Sequence, residues 1–299
     1  MTKVFVIILN WNKPDLTLEC LDSLSKLKTQ GIEIVTVVVD NNTTDDSLTK
    51  LSKIKTIHNS TNLGFAAGNN VGIRYALDHS AEYIMILNND ILVHPDLVSN
   101  LVKTAKSTEN LGAISPMIYF AKGFEFHKSR YKKADLGKVI WYAGGKVDWK
   151  NVYGSARAVD EVDAKKFKRA EETDFSTGAC MFVSASAIKK VGMFDERYFM
   201  YYEDTDLSIR LKKKGYKVLF DPSGVVWHKV AQSSGIGSEL NDYYITRNRM
   251  LFGMKYANLR TKFALIRESI KLLLKGRMWQ RIGMSDFYFE NFGKGSYGN

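Results

Sequence analysis

The densest chemistry in the chain is the run Glu203-Asp204-Thr205-Asp206, which places three carboxylates at the start of a helical pattern. One such acid can take a proton from an attacking hydroxyl as a general base. The others can cap the helix and match its dipole, and capping alone would also explain the cluster. Asp40 closes the apolar run Ile34 to Val39. A carboxylate at a strand's end can accept the imide N–H of a uracil or thymine ring, although an Asp-Asn pair also forms turns. Asn88-Asn89-Asp90 closes a second run, Tyr83 to Leu87, and Asp90 is the only charged oxygen ligand in that triplet. A departing diphosphate needs its charge neutralised, which oxygen ligands on a divalent cation do well. Of the five histidines, His58, His79, His94 and His127 lie in ordinary turn, helix or loop contexts. His228 ends a short strand after Pro222, where it reads either as structural or as a metal ligand.

These residues need a scaffold that gathers strand ends. The first hundred residues supply one by alternating strand and helix signals. Val4 to Leu9 is a continuous apolar run of the kind buried on both faces. Pro14 opens a helix with Leu16, Cys20, Leu24 and Leu27 at helical spacing, and Gly31 is expected to end it. Strands follow at Ile34–Val39, Lys55–Ile57 and Tyr83–Leu87, with helices between and after them. The order β-α-β-α-β-α predicts an α/β fold with a mostly parallel sheet. In such sheets ligands bind beyond the carboxyl ends of the strands. Asn10, Asp40 and Asp90 each follow an apolar run directly, so three strands would deliver polar groups to one rim. Residues 121–173 are charged and weakly periodic and read as an insertion near the site, or else as a linker, with a short hairpin expected at Trp141–Asp148. Strands are expected again at Phe175–Val183, Tyr216–Phe220 and Val225–His228. From about Ser238 the chain reads as helical.

A length of 299 residues with 45% hydrophobic composition supports one substantial core with a C-terminal extension. Lys and Arg number 43 against 32 acids, a formal net charge of +11. The bases concentrate in Lys122–Arg169 and Lys255–Arg281. No RNP, zinc-finger or basic-zipper pattern accompanies them, which argues against nucleic acid as the partner. Cys20 and Cys180 form no metal-type pair and read as buried thiols, which suits a reducing compartment. The opening apolar run is too short for a signal-peptide core, and nowhere do about 18 apolar residues run together. A cytoplasmic protein is expected, or one on the cytoplasmic face of a membrane. Leu259, Phe263, Ile266, Ile270 and Leu273/Leu274 recur at helical spacing, interleaved with Arg260, Lys262, Arg267, Lys271 and Lys275. A basic amphipathic helix can lie on an anionic membrane, or pack on its own domain.

The pieces, in order, resemble the family 2 glycosyltransferases, in particular the rhamnosyltransferase-like bacterial members. The resemblance rests on Ile8-Leu-Asn-Trp-Asn12, Val38-Val-Asp-Asn-Asn42, Asn62-Leu-Gly-Phe-Ala-Ala-Gly-Asn-Asn70, Leu87-Asn-Asn-Asp-Ile91, Thr177-Gly-Ala-Cys180, Tyr202-Glu-Asp-Thr-Asp-Leu207, His228 and Tyr244-Ile-Thr-Arg-Asn248. It implies a GT-A fold, Rossmann-like over residues 1–120, with an acceptor half over 121–237 and a basic helical extension over 238–299. It implies inversion at the anomeric carbon, a divalent Mg²⁺ or Mn²⁺ cofactor, a nucleotide-diphosphate sugar donor such as dTDP-rhamnose or a UDP-sugar, and a glycan or polyprenyl-linked glycan acceptor. By the match, Asp204 is the base and Glu203 orients its neighbours or the acceptor. Asp40 holds the nucleotide base. Asn10, Asn62, Gly64, Gly68, Asn70 and Asn89 line the nucleotide pocket, and Arg247 sits near the diphosphate. Asp90 and His228 are the metal ligands. Asn88 and Asn89 depart from the commoner acidic triplet, which leaves Asp90, His228 and the diphosphate to supply most ligands. The alternative function is an inactive sugar-nucleotide or glycan binding module on the same fold.

Overall fold

A computed structural model of the protein describes residues 1–230 and 238–298. The chain opens with β1 (Thr2–Asn10), α1 (Pro14–Ser25), β2 (Ile32–Asp40), a single turn α2 (Ser47–Lys50), β3 (Thr56–His58), α3 (Gly64–Asp78) and β4 (Tyr83–Asn88). β5 (Ile91–Val93), α4 (Leu97–Ser107) and β6 (Leu111–Phe120) follow. The middle holds four short strands, β7 (Ile140–Tyr142), β8 (Gly145–Asp148), β9 (Tyr153–Ala156) and β10 (Glu171–Glu172). Then come β11 (Cys180–Ser184), α5 (Ala185–Val191), α6 (Glu203–Lys213) and β12 (Lys217–His228). Three helices end the chain, α7 (Glu239–Tyr256), α8 (Leu259–Lys275) and α9 (Met278–Tyr288).

One sheet runs in the order β10-β12-β6-β11-β4-β1-β2-β3, with β5 added to β12 and β7 to β6. β1 is parallel to β2 and β4, and β2 to β3. β11 runs antiparallel between β4 and β6. β1 shows why this sheet is central. Its side chains alternate between two cores: Val4, Val6 and Ile8 pack in the layer that holds Cys20 and Leu24 of α1, while Phe5 and Ile7 pack with Ala66 and Ile73 of α3. Burying each large aliphatic side chain contributes about 1.5–3 kcal/mol, so a strand apolar on both faces is stable only between two helical layers. Alternation across the pleat then fixes its register.

The structure corrects three expectations. α1 stops at Ser25, and Gly31 instead stands at φ 74° just before β2. The expected hairpin at Trp141–Asp148 is divided: β7 joins the main sheet beside β6, and β8 pairs with β9. The two strands expected on either side of Pro222 are one strand, β12, with a register shift between Asp221 and Val225. That irregularity faces Pro116 and Met117 of β6, a central strand that sequence reading missed because proline removes a ladder donor. A bulge opposite the proline is where the missing N–H is tolerated. The helical character after Ser238 holds. The boundary expected at residue 237 falls in 231–237, outside the described residues. No helix among the described residues is long and apolar enough to cross a membrane.

Candidate functional site

The parallel strands bring their carboxyl ends together, with Asn10 opposite Asp40 and Leu9 opposite Asn88. A chain of side-chain hydrogen bonds runs across this rim. Asn89 Nδ2 donates to Thr17 Oγ1 (3.1 Å), Thr17 Oγ1 donates to Asn10 Oδ1 (2.6 Å), and Asn10 Nδ2 reaches Asp40 Oδ1 (3.3 Å). Asp40 is buried, and its other oxygen accepts only a long bond from the Thr43 amide (3.4 Å), with His58 Nδ1 at 3.7 Å. A buried carboxylate so weakly bonded keeps acceptor capacity for a ligand N–H. Residues 12, 13 and 42 all adopt left-handed φ, which turns the chain sharply off β1 and β2.

Asn41, next to Asp40, organises the glycine-bearing turn. Its Nδ2 donates to Asn62 Oδ1 (2.9 Å) and the Gly64 carbonyl (3.1 Å), and its Oδ1 accepts from the Leu63 amide (3.0 Å) and Asn59 Nδ2 (3.1 Å). Asn62 Oδ1 also accepts from the Gly64 amide (2.8 Å). Gly64 has φ 76°, and a Cβ there would stand 2.4 Å from the Phe199 ring. At Gly68 a Cβ would come within 2.7 Å of Leu9, so glycine lets α3 lie directly on β1. Asn70 has a different place. It is buried, donating to the Phe194 carbonyl and Glu196 Oε1 and accepting from the Phe194 amide, so its amide fastens α3 to the following half of the chain.

Asp90 and His228 meet because β5 pairs with the end of β12, with Ile91 opposite His228. His228 Nε2 lies 3.1 Å from Asp90 Oδ1, and both residues are buried. Among the described residues Asp90 Oδ1 makes no hydrogen bond and has only this close contact with Nε2, and His228 Nδ1 has no partner. The Trp141 ring meets the imidazole edge-on at 4.6 Å. Neighbouring ligands on an octahedral Mg²⁺-sized ion stand about 3 Å apart, so the spacing of Asp90 Oδ1 and His228 Nε2, with Oδ1 otherwise unsatisfied, fits a divalent cation. Among the described residues no group of three or more His, Cys, Asp or Glu side chains gathers for a metal.

The carboxylates at the start of α6 hang on a strained loop. Phe199, Tyr201 and Tyr202 all have φ between 62° and 72°. Non-glycine residues in that region cost about 1–3 kcal/mol each and persist only when their surroundings hold them. Asn248 Nδ2 donates to the carbonyls of Tyr198, Met200 and Tyr201 at 2.7–3.0 Å, and Arg247 Nη2 to those of Arg197 and Tyr198 at 3.2 Å. At about 1 kcal/mol each, these five bonds are of the order of the strain they oppose. Phe199 stacks on Tyr244 at 5.0 Å. Arg247 is fully buried, also bonded to Tyr243 and the Asn291 carbonyl, so its guanidinium braces this loop.

Asp204 Oδ2 accepts from the Gly178 amide (2.9 Å), and Oδ1 from the Thr205 amide (2.6 Å) and hydroxyl (3.1 Å). Burial raises its carboxyl above the usual Asp range, and these hydrogen bonds oppose the rise. Glu203 is buried, with Oε2 unpartnered among the described residues; burial first, then the Asp204 charge, pushes its carboxyl well above the usual Glu range. Asp206 is committed elsewhere, to Lys255, Tyr256 and Arg210 at 2.7 Å each.

Gly178 adjoins Ala179, whose carbonyl accepts from the Asn88 amide at 3.0 Å. Asp204 is thereby tied to the end of β4, two residues before Asp90. Asn10, Asp40, Asn89, Asp90, Asp204 and His228 thus belong to one edge of the sheet, while Asn70 and Arg247 make internal contacts behind it. Sequence reading passed over Thr17, Gly178 and Asn248, and gave Asn41 no role beyond a turn. Asn41 and Asn248 stood inside the motifs that were noticed; nothing local marked their partners.

Residues 5–192 match the family model described as "Glycosyl transferase family 2", and residues 138–289 match "Glycosyl transferase family group 2". The chain is 25% identical over 248 residues to an N-acetylglucosaminyl-diphospho-decaprenol L-rhamnosyltransferase of Mycobacterium tuberculosis (79% of each chain). It is 26% identical over 262 residues to the dTDP-rhamnosyl transferase RfbF of Shigella flexneri (84% of this chain, 79% of the relative). Among solved structures, a mannosyltransferase from Pyrobaculum calidifontis in complex with GDP-Man and Mn²⁺ superposes with TM-score 0.56 at 15% identity, over 99% of this chain and 76% of the other. S. aureus TarS in complex with UDP-GlcNAc gives 0.57 at 15% identity, over 96% and 79%. These likenesses carry the GT-A fold.

Proposed function

The chain belongs to glycosyl transferase family 2, and from that premise we propose an inverting transfer from a nucleoside-diphosphate sugar to an acceptor hydroxyl, with Asp204 as the base. The proposed donor is dTDP-rhamnose, ahead of a UDP-sugar, and the proposed acceptor a glycan or polyprenyl-linked glycan. The likeness to the two rhamnosyltransferases supports the donor, and the decaprenol-linked substrate named for one of them supports the acceptor.

In this reading Asp40 accepts the imide N–H of the pyrimidine, and the Asn10–Thr17–Asn89 chain keeps that rim rigid. Asp90 and His228 hold a Mg²⁺ or Mn²⁺ ion. Bound there, the cation supplies neutralising charge to the diphosphate. The acceptor oxygen attacks the anomeric carbon as Asp204 takes its proton. The bond from that carbon to the diphosphate oxygen breaks on the opposite face, its electron pair leaving with the nucleotide. One displacement needs one base and no covalent intermediate. The environments of the two acids support these roles: Asp204, held by three hydrogen bonds, is the better ionised acceptor, and Glu203, its carboxyl pushed up by burial, is the better proton donor to the acceptor or its neighbours.

The observation carrying this proposal is Asp204 fastened through Gly178 to the strand end that carries Asp90. The test is nucleoside diphosphate release from a donor panel, with and without Mg²⁺ or Mn²⁺ and acceptor. Asp204→Asn should bind donor like the wild type and lose about 10²–10⁴-fold in transfer. Full transfer by that variant rejects Asp204 as base. Donor binding with no turnover under any condition would favour the inactive binding module.

A further inference from the structure

α8 is apolar on two sides. Leu265 packs inward with Thr261 and Ser269. On the outward side Leu259, Phe263, Ile266, Ile270 and Leu274 are 73%, 71%, 36%, 53% and 73% exposed. Spaced four, three, four and four residues apart, they form one stripe along the helix. Scattered exposed apolar residues are ordinary, but a contiguous row of five marks a contact surface.

The charges beside the stripe identify its occupant. α8 carries five bases and one acid, and that acid, Glu268, is paired with Arg249 at 2.7 Å. At 100° per residue, Arg260, Arg267, Lys271 and Lys275 flank the stripe on one side and Lys262 on the other. Arg267 and Lys271 also line a hollow of about 270 Å³ with Lys150 and Arg249. A second copy of the chain meeting this face about a two-fold axis would bring like charges together. An anionic lipid surface offers hydrocarbon to the stripe and phosphates to the bases.

We infer that α8 is a membrane-docking helix, which lies along an anionic bilayer with Phe263, Ile266, Ile270 and Leu274 in the acyl boundary and Arg267 and Lys271 among the headgroups. The inference takes its use from the lipid-linked acceptor proposed above. Its evidence is separate, because docking needs neither donor nor turnover. An enzyme so held meets a polyprenyl-linked acceptor in two dimensions.

The test is co-sedimentation of the full chain with vesicles of phosphatidylglycerol and phosphatidylcholine, against phosphatidylcholine alone. The wild type should bind the anionic vesicles, and less as salt rises. Phe263→Glu with Ile270→Glu should weaken partition at least tenfold. Arg267→Glu with Lys271→Glu should abolish the preference for anionic lipid. Both pairs point outward, so unchanged melting temperature and donor binding will confirm intact folding. No binding of the wild type to anionic vesicles overturns the proposal, as does equal binding by Phe263→Glu/Ile270→Glu. A dimer that dissociates in that variant, without vesicle binding, also overturns it and assigns the stripe to a second copy.

Discussion

At the scale of single residues, the two adjacent acids differ in what surrounds them. Glu203 has a partnerless buried oxygen and a carboxyl pushed above its ordinary range. The folded state therefore keeps its proton at pH values where the unfolded chain has released it. Stability linked to Glu203 is fully present below the ordinary Glu range and is lost as pH rises through the raised native value. Glu203→Gln, neutral at every pH, should melt like the wild type near pH 4 and higher near pH 8, by roughly 2–4 °C, while transferring more slowly. Calorimetric scans across that range check it; identical melting at both ends would show that folding leaves the Glu203 carboxyl in its ordinary range. Much at this scale was legible in sequence. Asn10, Asp40 and His228 each end a strand, Asp90 lies in the turn just after one, and the topology obliges strand ends to converge. Asn70 and Arg247 were not legible in the same way. The family match places Arg247 near the diphosphate, but the guanidinium lies about 5 Å from the Tyr243 and Tyr244 ring centres and bonds to backbone carbonyls.

At the scale of elements, the left-handed loop before α6 depends on α7. Asn248→Ala removes three hydrogen bonds to the carbonyls of Tyr198, Met200 and Tyr201, which should cost about 3 kcal/mol of stability. The loop carries Asp204 but not Asp40, so kcat should fall at least tenfold with donor affinity kept. Donor titration beside steady-state rates separates the two, and parallel loss of donor binding would count against this division. Sequence patterns showed the strands that are apolar on both faces, because period and length suffice for them. β6 was hidden by Pro116 and the unity of β12 by Pro222. A proline signals a break unless a bulge on the adjoining strand absorbs it, and that compensation is visible only when the two strands stand side by side.

At the scale of the molecule, the C-terminal helices do more than extend the domain. The segment after α9 folds back on α7, α9 and the loop before α6: Tyr244 donates to the Lys294 carbonyl, Ser296 bonds Asp286, Arg247 donates to the Asn291 carbonyl, and the Gly293 amide donates to the Arg197 carbonyl. Tyr297 packs against Tyr243, Tyr244 and Trp279. Removing residues 290–299 should lower the melting temperature by several degrees and slow transfer while leaving donor binding within about twofold. A truncated chain with wild-type turnover would show that the tail is ornamental to the site. Helicity here was readable from spacing, but the return of the tail was not, since it rests on aromatic and backbone partners far apart in sequence.

The reversed direction of β11 has a consequence for how such a molecule can diversify. Because β11 begins where β4 ends, the edge receives one set of groups from chains arriving and another from a chain departing. The proposed pyrimidine side belongs to the first hundred residues and the proposed proton acceptor to the start of α6, a hundred residues later. Each can drift under its own selection, one towards a new nucleotide and the other towards a new alcohol. Hybrids joined within the Ala121–Thr173 stretch should inherit the two preferences from separate parents.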